Sequence, residues 1–147
     1  MKGLIQRVTG ASVSVDGGTI ARIDRGLLLL LGVEKKDTER EVDALLRKIA
    51  RYRVFPDGQG RMNRSLEECG GSLLVVPQFT LAADTGSGTR PGFSGAAAPD
   101  AANDLVTEFI RQAVERLGES RVGQGRFGAD MKVSLVNDGP VTFLLTV

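Results

Sequence analysis

The sequence predicts a mixed α/β fold in one domain, and three observations support that prediction. Segments with the two-residue alternation of strands occur at both ends and in the middle of the chain. Two other segments carry apolar residues at helical spacing. The 147 residues are a usual length for one domain, and no repeat or linker interrupts them. Residues 1–147 are therefore expected to share one core.

Strands open the chain. Residues 2–9 and 12–15 alternate well enough for two strands, and the Asp16-Gly17-Gly18 turn before residues 19–21 predicts a hairpin. The leucine-rich run over residues 27–33 is continuously apolar and short, which is typical of a strand that is covered on both faces.

A helix is predicted after this strand. Thr38, followed three positions later by Glu41, is the pattern of a capping box. The apolar stripe of the helix consists of Val42, Leu45, Leu46 and Ile49. The helix is expected to end near Arg53, because Val54-Phe55-Pro56 favours extended backbone and residues 57–60 have turn chemistry.

The second half of the chain repeats this alternation of element types. A central strand is predicted over residues 72–82, followed by a loop over residues 84–98 that is long enough to suggest function. An amphipathic helix then runs from Pro99 to a stop at Gly118. The C-terminus is predicted to form two strands, over residues 131–136 and 141–147, joined by a turn.

Composition excludes several kinds of chemistry. The chain has no histidine, so catalysis by Ser-His-Asp or Cys-His systems and histidine-ligated zinc are excluded. The single cysteine, Cys69, cannot form an internal disulfide. Acidic residues show no metal-ligand spacing, so no metal or cofactor is expected. The net charge of +1 gives no broad basic surface for DNA, although a local contact with an RNA end stays open.

The chain is expected to be cytoplasmic and to have no membrane partner. No stretch reaches the ~20 apolar residues that a membrane-spanning helix needs. The first residues, Met1 to Ile5, enter strand-like alternation with no signal-peptide pattern.

One segment, residues 75–81, is unusual for a strand. Pro77 cannot donate to a ladder, and the polar Gln78 interrupts an apolar run. Gln78 and Thr80 therefore could face a pocket at the end of a strand. A twisted edge strand, with Thr80 present for its β-propensity, explains the same residues.

Two more segments allow a functional interpretation beside a structural one. A proline after the Asp-Gly turn removes a donor at the start of the next strand, and on the sequence alone an ordinary trans bond between Gly139 and Pro140 is expected. The glycine-rich loop over residues 88–94, with Arg90 and Phe93, can wrap an anionic ligand or be a solvated surface loop.

The whole chain resembles the D-aminoacyl-tRNA deacylase family, also called D-tyrosyl-tRNA deacylases. The order and spacing of several short segments carry the resemblance: Met1 to Val8, Gly60 to Leu66, Gln78-Phe79-Thr80-Leu81, Arg90-Pro91-Gly92-Phe93, Phe127 to Met131, and Asn137 to Thr142. This resemblance implies mostly antiparallel strands in a curved, barrel-like sheet with two main helices. It also implies a homodimer whose active sites lie at the subunit interface.

The resemblance also implies how the enzyme selects its substrates. The Gly139-Pro140 element, with a cis bond, would enter the pocket of the other subunit. Its carbonyls would bind the substrate ammonium group and crowd the space of an L side chain, so that D-aminoacyl groups and glycine are accepted. The substrates implied are D-aminoacyl-tRNA and glycyl-tRNA mischarged on tRNA(Ala).

Other site residues follow from the same resemblance. Gln78 and Thr80 are the catalytic candidates, and Phe79 lies beside them. Phe127 and Met131 would hold the terminal adenosine of the tRNA, since exposed base faces are read by stacking and packing. Core packing is the alternative for both. Arg90 is a further candidate for substrate binding.

The implied chemistry does not need a histidine. The aminoacyl ester is activated, and the neighbouring ribose 2′-hydroxyl can position or activate water, so the protein need only orient the ester and stabilise its oxyanion. Without a neighbouring base, the Thr80 hydroxyl is a poor nucleophile, and a positioning role is expected instead.

Pro77 departs from the family pattern, in which serine usually precedes the glutamine. We expect that the lost hydroxyl is dispensable. Two rival hypotheses remain. The first is a related class of deacylase with a relaxed Gly-Pro turn that removes mischarged L-alanine, and a trans bond between Gly139 and Pro140 would favour it. The second is a dimer that binds RNA ends without activity, and Pro77 favours it. A purely structural dimer would leave residues 78–81 and Gly139-Pro140 unexplained.

Overall fold

Eight strands and three helices follow one another in a computed structural model, which describes residues 1–147, and they confirm the mixed α/β fold. The strands are β1 (Lys2–Val15), β2 (Gly18–Ile23), β3 (Gly26–Gly32), β4 (Phe55–Pro56), β5 (Met62–Arg64), β6 (Ser72–Pro77), β7 (Val122–Gln124) and β8 (Lys132–Thr146). The helices are α1 (Glu39–Arg51), α2 (Leu66–Cys69) and α3 (Pro99–Leu117). None of the helices has the length and apolar character needed to cross a bilayer.

The main sheet is organised around β1, which changes partners along its length. Its first half pairs antiparallel with β3, its second half pairs antiparallel with β2, and its other edge pairs with β8 throughout. β6 and β7 extend the sheet beyond β3 in parallel pairings. β7 then approaches β2, since a Cβ placed on Gly123 would lie 3.6 Å from Cβ of Ala21. The sheet is therefore a nearly closed, barrel-like layer.

Strand alternation divides the buried residues into two cores. On β3, Leu27, Leu29 and Leu31 belong to the larger core, which packs under α1 and α3, whereas Leu28 belongs to a smaller core inside the curved sheet. β6 alternates in the same way. The leucine run is thus covered on both faces, as its sequence predicts.

Two helices have the bounds that their signals predict. Thr38 caps α1 in a full capping box with Glu41, and the helix ends at Arg51, two residues before the expected Arg53, because Tyr52 is already extended. α3 begins at Pro99 and ends before Gly118, whose φ of 94° suits glycine. The short helix α2 was not predicted, although Ser65 and Glu68 form the same kind of capping box.

The prediction of one strand over residues 72–82 is wrong beyond Pro77. β3 ends at Gly32, opposite this point, so the ladder has no partner to continue with. The amide of Gln78 makes the last bond to β3, to the Leu31 carbonyl at 2.7 Å. The chain then forms a 3-10 turn over Phe79–Ala82. Gly32 allows this turn to approach, since a Cβ there would lie only 2.8 Å from Cβ of Leu81.

The prediction of two C-terminal strands joined by a turn is also wrong. β8 is a single strand that pairs with β1 on both sides of residues 138–141. Thr142 stands opposite Gln6 and Asn137 stands opposite Val8, so four residues of β8 face Arg7 alone. Asp-Gly chemistry that suits a hairpin turn also suits a bulge, and only the pairing distinguishes the two.

Candidate active site

A cavity of about 490 Å³ opens where the two cores meet, which is a usual size for a ligand pocket. Its walls come from the end of β6 and the two residues after it, from the start of α3, and from the loop between β7 and β8. Most of its lining is apolar, with Phe127 and Met131 on one side and Ala102 of α3 on another. Such a space suits a flat, mostly apolar group such as a nucleobase.

The 3-10 turn over Phe79–Ala82 provides backbone donors beside the cavity. The amide of Leu81 donates to the Gln78 carbonyl, and the amide of Ala83 donates to the Thr80 carbonyl. The first N–H groups of such a turn, those of Phe79 and Thr80, have no acceptor inside it. Gln78 and Phe79 line the cavity, so the Phe79 donor lies at its wall and the Thr80 donor follows it in the turn.

Gln78 and Thr80 are joined by their side chains. Nε2 of Gln78 donates to Oγ1 of Thr80 at 2.5 Å, so the two catalytic candidates form one polar unit. Thr80 itself is exposed and is not part of the cavity lining. No carboxylate bonds to its hydroxyl, so the contacts give it no base that would activate it as a nucleophile.

Phe127 and Met131 take their places in the cavity from different cores. Phe127 is half-buried and packs on the larger core, whereas Met131 packs on the smaller one. Gly125 lets Met131 come close, since a Cβ on Gly125 would lie 2.8 Å from its Sδ. Pro77 lies on the other side of the same glycine, with its Cδ 3.4 Å from that Cβ position.

Charge near the cavity is modest. Asp130 is its only acidic lining residue, and its carboxylate is exposed and bonded to Lys132 Nζ at 3.1 Å. Pro99 places the N-terminus of α3 at the wall, where free N–H groups carry partial positive charge. The site therefore favours a neutral or weakly anionic ligand.

Gly139 and Pro140 lie apart from this cavity and line none of it. Both residues are exposed on the bulge of β8, and the peptide bond between them is cis, in contrast to the trans bond expected from the sequence alone. Arg7 fastens the bulge: its Nε donates to the Asp138 carbonyl at 2.9 Å, and its Nη1 donates to the Val54 carbonyl at 2.5 Å. No sequence pattern predicts this role for Arg7.

The loop over residues 84–98 is held at its base. Asp84 and Gly92 exchange two backbone hydrogen bonds, at 2.7 and 2.9 Å, so residues 85–91 form a smaller loop of their own, the exposed excursion of the longer loop. Arg90 lies on this excursion, is exposed and does not line the cavity. The two bonds between Asp84 and Gly92 form a clamp at the base of the loop. Phe93 follows this clamp in the chain and packs on Phe79, with ring centroids 5.1 Å apart. Sequence reasoning gave Phe93 no role of its own.

The site residues predicted from the sequence thus fall into two groups within one chain. Gln78, Phe79, Phe127 and Met131 line the cavity, and Thr80 is bonded to Gln78. Arg90 and the Gly139-Pro140 element lie elsewhere on the surface.

Comparison with known proteins gives consistent matches over the whole chain. The family model described as D-Tyr-tRNA(Tyr) deacylase matches residues 4–146. A D-aminoacyl-tRNA deacylase of Marinobacter nauticus is 69% identical over 145 residues, which cover 99% of this chain and 93% of that protein. One of Janthinobacterium sp. is 58% identical over 147 residues, which cover 100% of this chain and 97% of that protein.

Solved structures are similar as well. The structure named c-Myc DNA Unwinding Element Binding Protein has a TM-score of 0.96 and 38% identity, over 100% of this chain and 99% of that one. That of a probable eukaryotic D-amino acid tRNA deacylase has a TM-score of 0.87 and 18% identity, over 99% of this chain and 98% of that one, and supports the fold alone.

Proposed function

The chain belongs to the D-Tyr-tRNA(Tyr) deacylase family and is a hydrolase of D-aminoacyl-tRNA, and we propose that it also hydrolyses glycyl-tRNA mischarged on tRNA(Ala) while sparing L-aminoacyl esters. Residues 1–147 act as one deacylase domain in this proposal. The observation that carries it is the pairing of an apolar cavity with the free backbone donors of the 3-10 turn. The cavity binds the terminal adenosine of the tRNA, and the N–H groups of the 3-10 turn bind the ester carbonyl.

Hydrolysis proceeds by direct attack of water. The water oxygen bonds to the ester carbonyl carbon, the bond from that carbon to the ribose oxygen breaks, and the proton lost by water goes to the ribose oxygen. The N–H groups of Phe79 and Thr80 stabilise the oxyanion, and one such donor is typically worth ~3–4 kcal/mol. The Gln78–Thr80 hydrogen bond holds the turn in place, and the adjacent 2′-hydroxyl of the RNA positions the water.

Chiral selection requires a second subunit. Gly139 and Pro140 are exposed, and they do not line the cavity of their own chain. In a homodimer their carbonyls bind the substrate ammonium group from the partner subunit and leave no room for an L side chain. Exposed apolar side chains on and beside β8 support such an interface: Val136, Phe143, Leu144 and Val147.

The remaining roles concern the RNA. Phe127 and Met131 hold the adenine through its faces, because both line the cavity and are only half-buried. Arg90 contacts a phosphate from the exposed excursion of the loop. Pro77 replaces a serine hydroxyl with an apolar wall beside Gly125, and the proposed chemistry does not use that hydroxyl.

The first test compares hydrolysis of D-Tyr-tRNA, L-Tyr-tRNA and Gly-tRNA by the wild-type protein and by Thr80→Ala and Thr80→Ser variants. We expect the D and glycyl esters to be lost and the L ester to be spared. A nucleophilic Thr80 would make Thr80→Ala inactive while Thr80→Ser remained active, whereas a positioning role leaves activity in both. If no ester is hydrolysed, an RNA-binding dimer is the better description.

A second test concerns Pro77. The wild-type protein should hydrolyse D-Tyr-tRNA at a rate similar to that of a Pro77→Ser variant. Activity found only in the Pro77→Ser variant would show that the missing hydroxyl is indispensable.

A further inference from the structure

We propose that Phe79 and Phe93 form a stacking platform for the nucleobase that precedes the terminal adenosine of the acceptor end. This inference rests on the proposed function and adds a second nucleotide subsite to it. Its ligand is a single-stranded RNA base, which is read through its face.

Two exposed aromatic rings in contact need an explanation. Phe79 is 57% exposed and Phe93 is 41% exposed, although the chain has only six phenylalanines, one tyrosine and no tryptophan. Of the five other aromatic rings in the chain, Phe55 and Phe109 are fully buried. Two rings that are partly exposed to water do not contribute the full free energy that burial of their apolar surface would give. A ligand that covers the rings would supply that burial.

The position of the pair identifies the ligand. Phe79 lines the adenosine cavity, whereas Phe93 lies outside the lining and packs on Phe79. A nucleotide chain that leaves the cavity over Phe79 therefore meets Phe93 next. The rings are tilted by 50° and are not stacked on each other, which leaves ring surface available for a base.

Phe93 is held in place before any ligand arrives. It lies beside the clamp formed by Asp84 and Gly92, and its own carbonyl accepts a hydrogen bond from Ala96 N–H at 3.1 Å. The amide of Lys35 donates to the Gly95 carbonyl at 3.0 Å, which fixes the loop to the segment that follows β3. A fixed ring loses less entropy on binding than a mobile one.

The charge and the apolar surface nearby distinguish RNA from a protein partner. The apolar stripe that suits a subunit interface lies on β8, on Val136, Phe143 and Leu144, and not on this loop. Arg90 lies three residues before Phe93 and is exposed, so a cation stands on the same loop for the phosphate between the two nucleotides. Stacking on an aromatic face tolerates any base and needs no sequence-specific contact.

The experiment compares two small substrates, D-Tyr-adenosine and the dinucleotide ester D-Tyr-CpA, and a third in which the cytosine base is replaced by an abasic site. In the wild-type protein, kcat/KM should rise about tenfold from D-Tyr-adenosine to D-Tyr-CpA, as expected for one stacked base. The abasic substrate should lose most of that gain. Phe93→Leu should reduce the gain to about twofold or less and leave D-Tyr-adenosine unchanged, while Phe93→Tyr retains the gain.

Three outcomes would overturn the proposal. An equal loss on D-Tyr-adenosine would show that Phe93 shapes the cavity itself. A full gain with the abasic substrate would show that only the phosphate is read. Dissociation of the Phe93→Leu protein in sedimentation equilibrium, with the wild-type protein dimeric, would place Phe93 in the subunit interface.

Binding of CpA and of adenosine 5′-phosphate, measured by calorimetry, separates this subsite from the proposed reaction. If no ester is hydrolysed, the deacylase function fails, but CpA should still bind about tenfold more tightly than adenosine 5′-phosphate to the wild-type protein. Phe93→Leu should remove that difference. Equal affinities in the wild-type protein would refute the platform whatever the activity.

Discussion

Adding one methyl group at Gly32 should slow the reaction by displacing the 3-10 turn, while the walls of the cavity formed by Phe127 and Met131 stay in place. Gly32 ends β3 beside the 3-10 turn, which follows Gln78 and includes Thr80. A Cβ at this position would lie 2.8 Å from Cβ of Leu81 and 3.1 Å from the Gln78 carbonyl oxygen. Ordinary contacts between carbon atoms are ~3.5–4.0 Å, so the turn must move by roughly 0.5–1 Å.

The size of that displacement sets the expected effect. A misplacement of ~1 Å at a reacting centre can cost about 100-fold in rate, so Gly32→Ala should lower kcat by about 10- to 100-fold. KM should change little, because the walls formed by Phe127 and Met131 are untouched. Overpacking should also destabilise the fold by about 1–3 kcal/mol, measured by urea unfolding.

The assay measures kcat and KM for D-Tyr-tRNA in Gly32→Ala and in Gly58→Ala. The second variant is a matched control, since a Cβ on Gly58 meets nothing within 4 Å and should leave both constants unchanged. If Gly32→Ala retains full kcat although it is destabilised, the position of the turn against β3 does not control the reaction, and the role given to the backbone donors of Phe79 and Thr80 is wrong.

Three further predictions concern stability. Phe109→Ala, which removes a fully buried ring from the inner face of α3, should cost about 3–5 kcal/mol in urea unfolding. Thr38→Ala removes the cap of α1 and should cost about 1 kcal/mol by the same measurement, with exposed Thr107→Ala as the control. Hydrogen bonds from Arg111 and Gln112 lower the pKa of Glu108 from 4.5 to about 2, so its contribution is present above pH 4.5 and is lost as the pH falls towards 2. Glu108→Gln should flatten the decline of the unfolding midpoint in that window, and an unchanged decline would contradict this assignment.

Local signals in the sequence were enough for much of the fold. The capping box at Thr38 and the Pro99-to-Gly118 pattern gave both main helices, because caps act within one turn of chain. The short, continuous apolar run over residues 27–33 predicted a strand with two covered faces, and β3 is such a strand. The pairing of β8 along all of β1 depends on contacts between the two ends of the chain, and no local pattern distinguishes its bulge from a hairpin turn.

The candidate site shows the same division. The oddity of Pro77-Gln78 pointed to the end of a strand, and the structure places a 3-10 turn there. The roles of Arg7, Phe93 and Gly125 were missed, because each depends on a contact with another part of the chain. No local sequence pattern indicates such a contact. Arg7 reaches Asp138 across 131 positions, and an arginine within an alternating strand gives no sign of such a contact.

The pH dependence of the reaction offers a test of catalysis without a protein base. Imidazole is the side chain whose unperturbed pKa lies between pH 5 and 8, and this chain has none. The one acidic residue of the cavity lining, Asp130, is exposed and bonded to Lys132. If backbone donors and the RNA 2′-hydroxyl carry the reaction, log kcat for D-Tyr-tRNA should rise from pH 6 to pH 8 with no inflection that depends on a protein side chain.

An inflection in that range would mean that either a protein group or the α-ammonium group of the substrate titrates during the reaction. Its disappearance in Asp130→Asn would identify the group and refute the proposed mechanism. The same profile measured for Lys132→Gln is the control, because this change removes the partner of Asp130 and leaves the carboxylate in place. A steady rise in all three proteins would leave water, oriented by the substrate and the turn, as the reacting group that loses a proton.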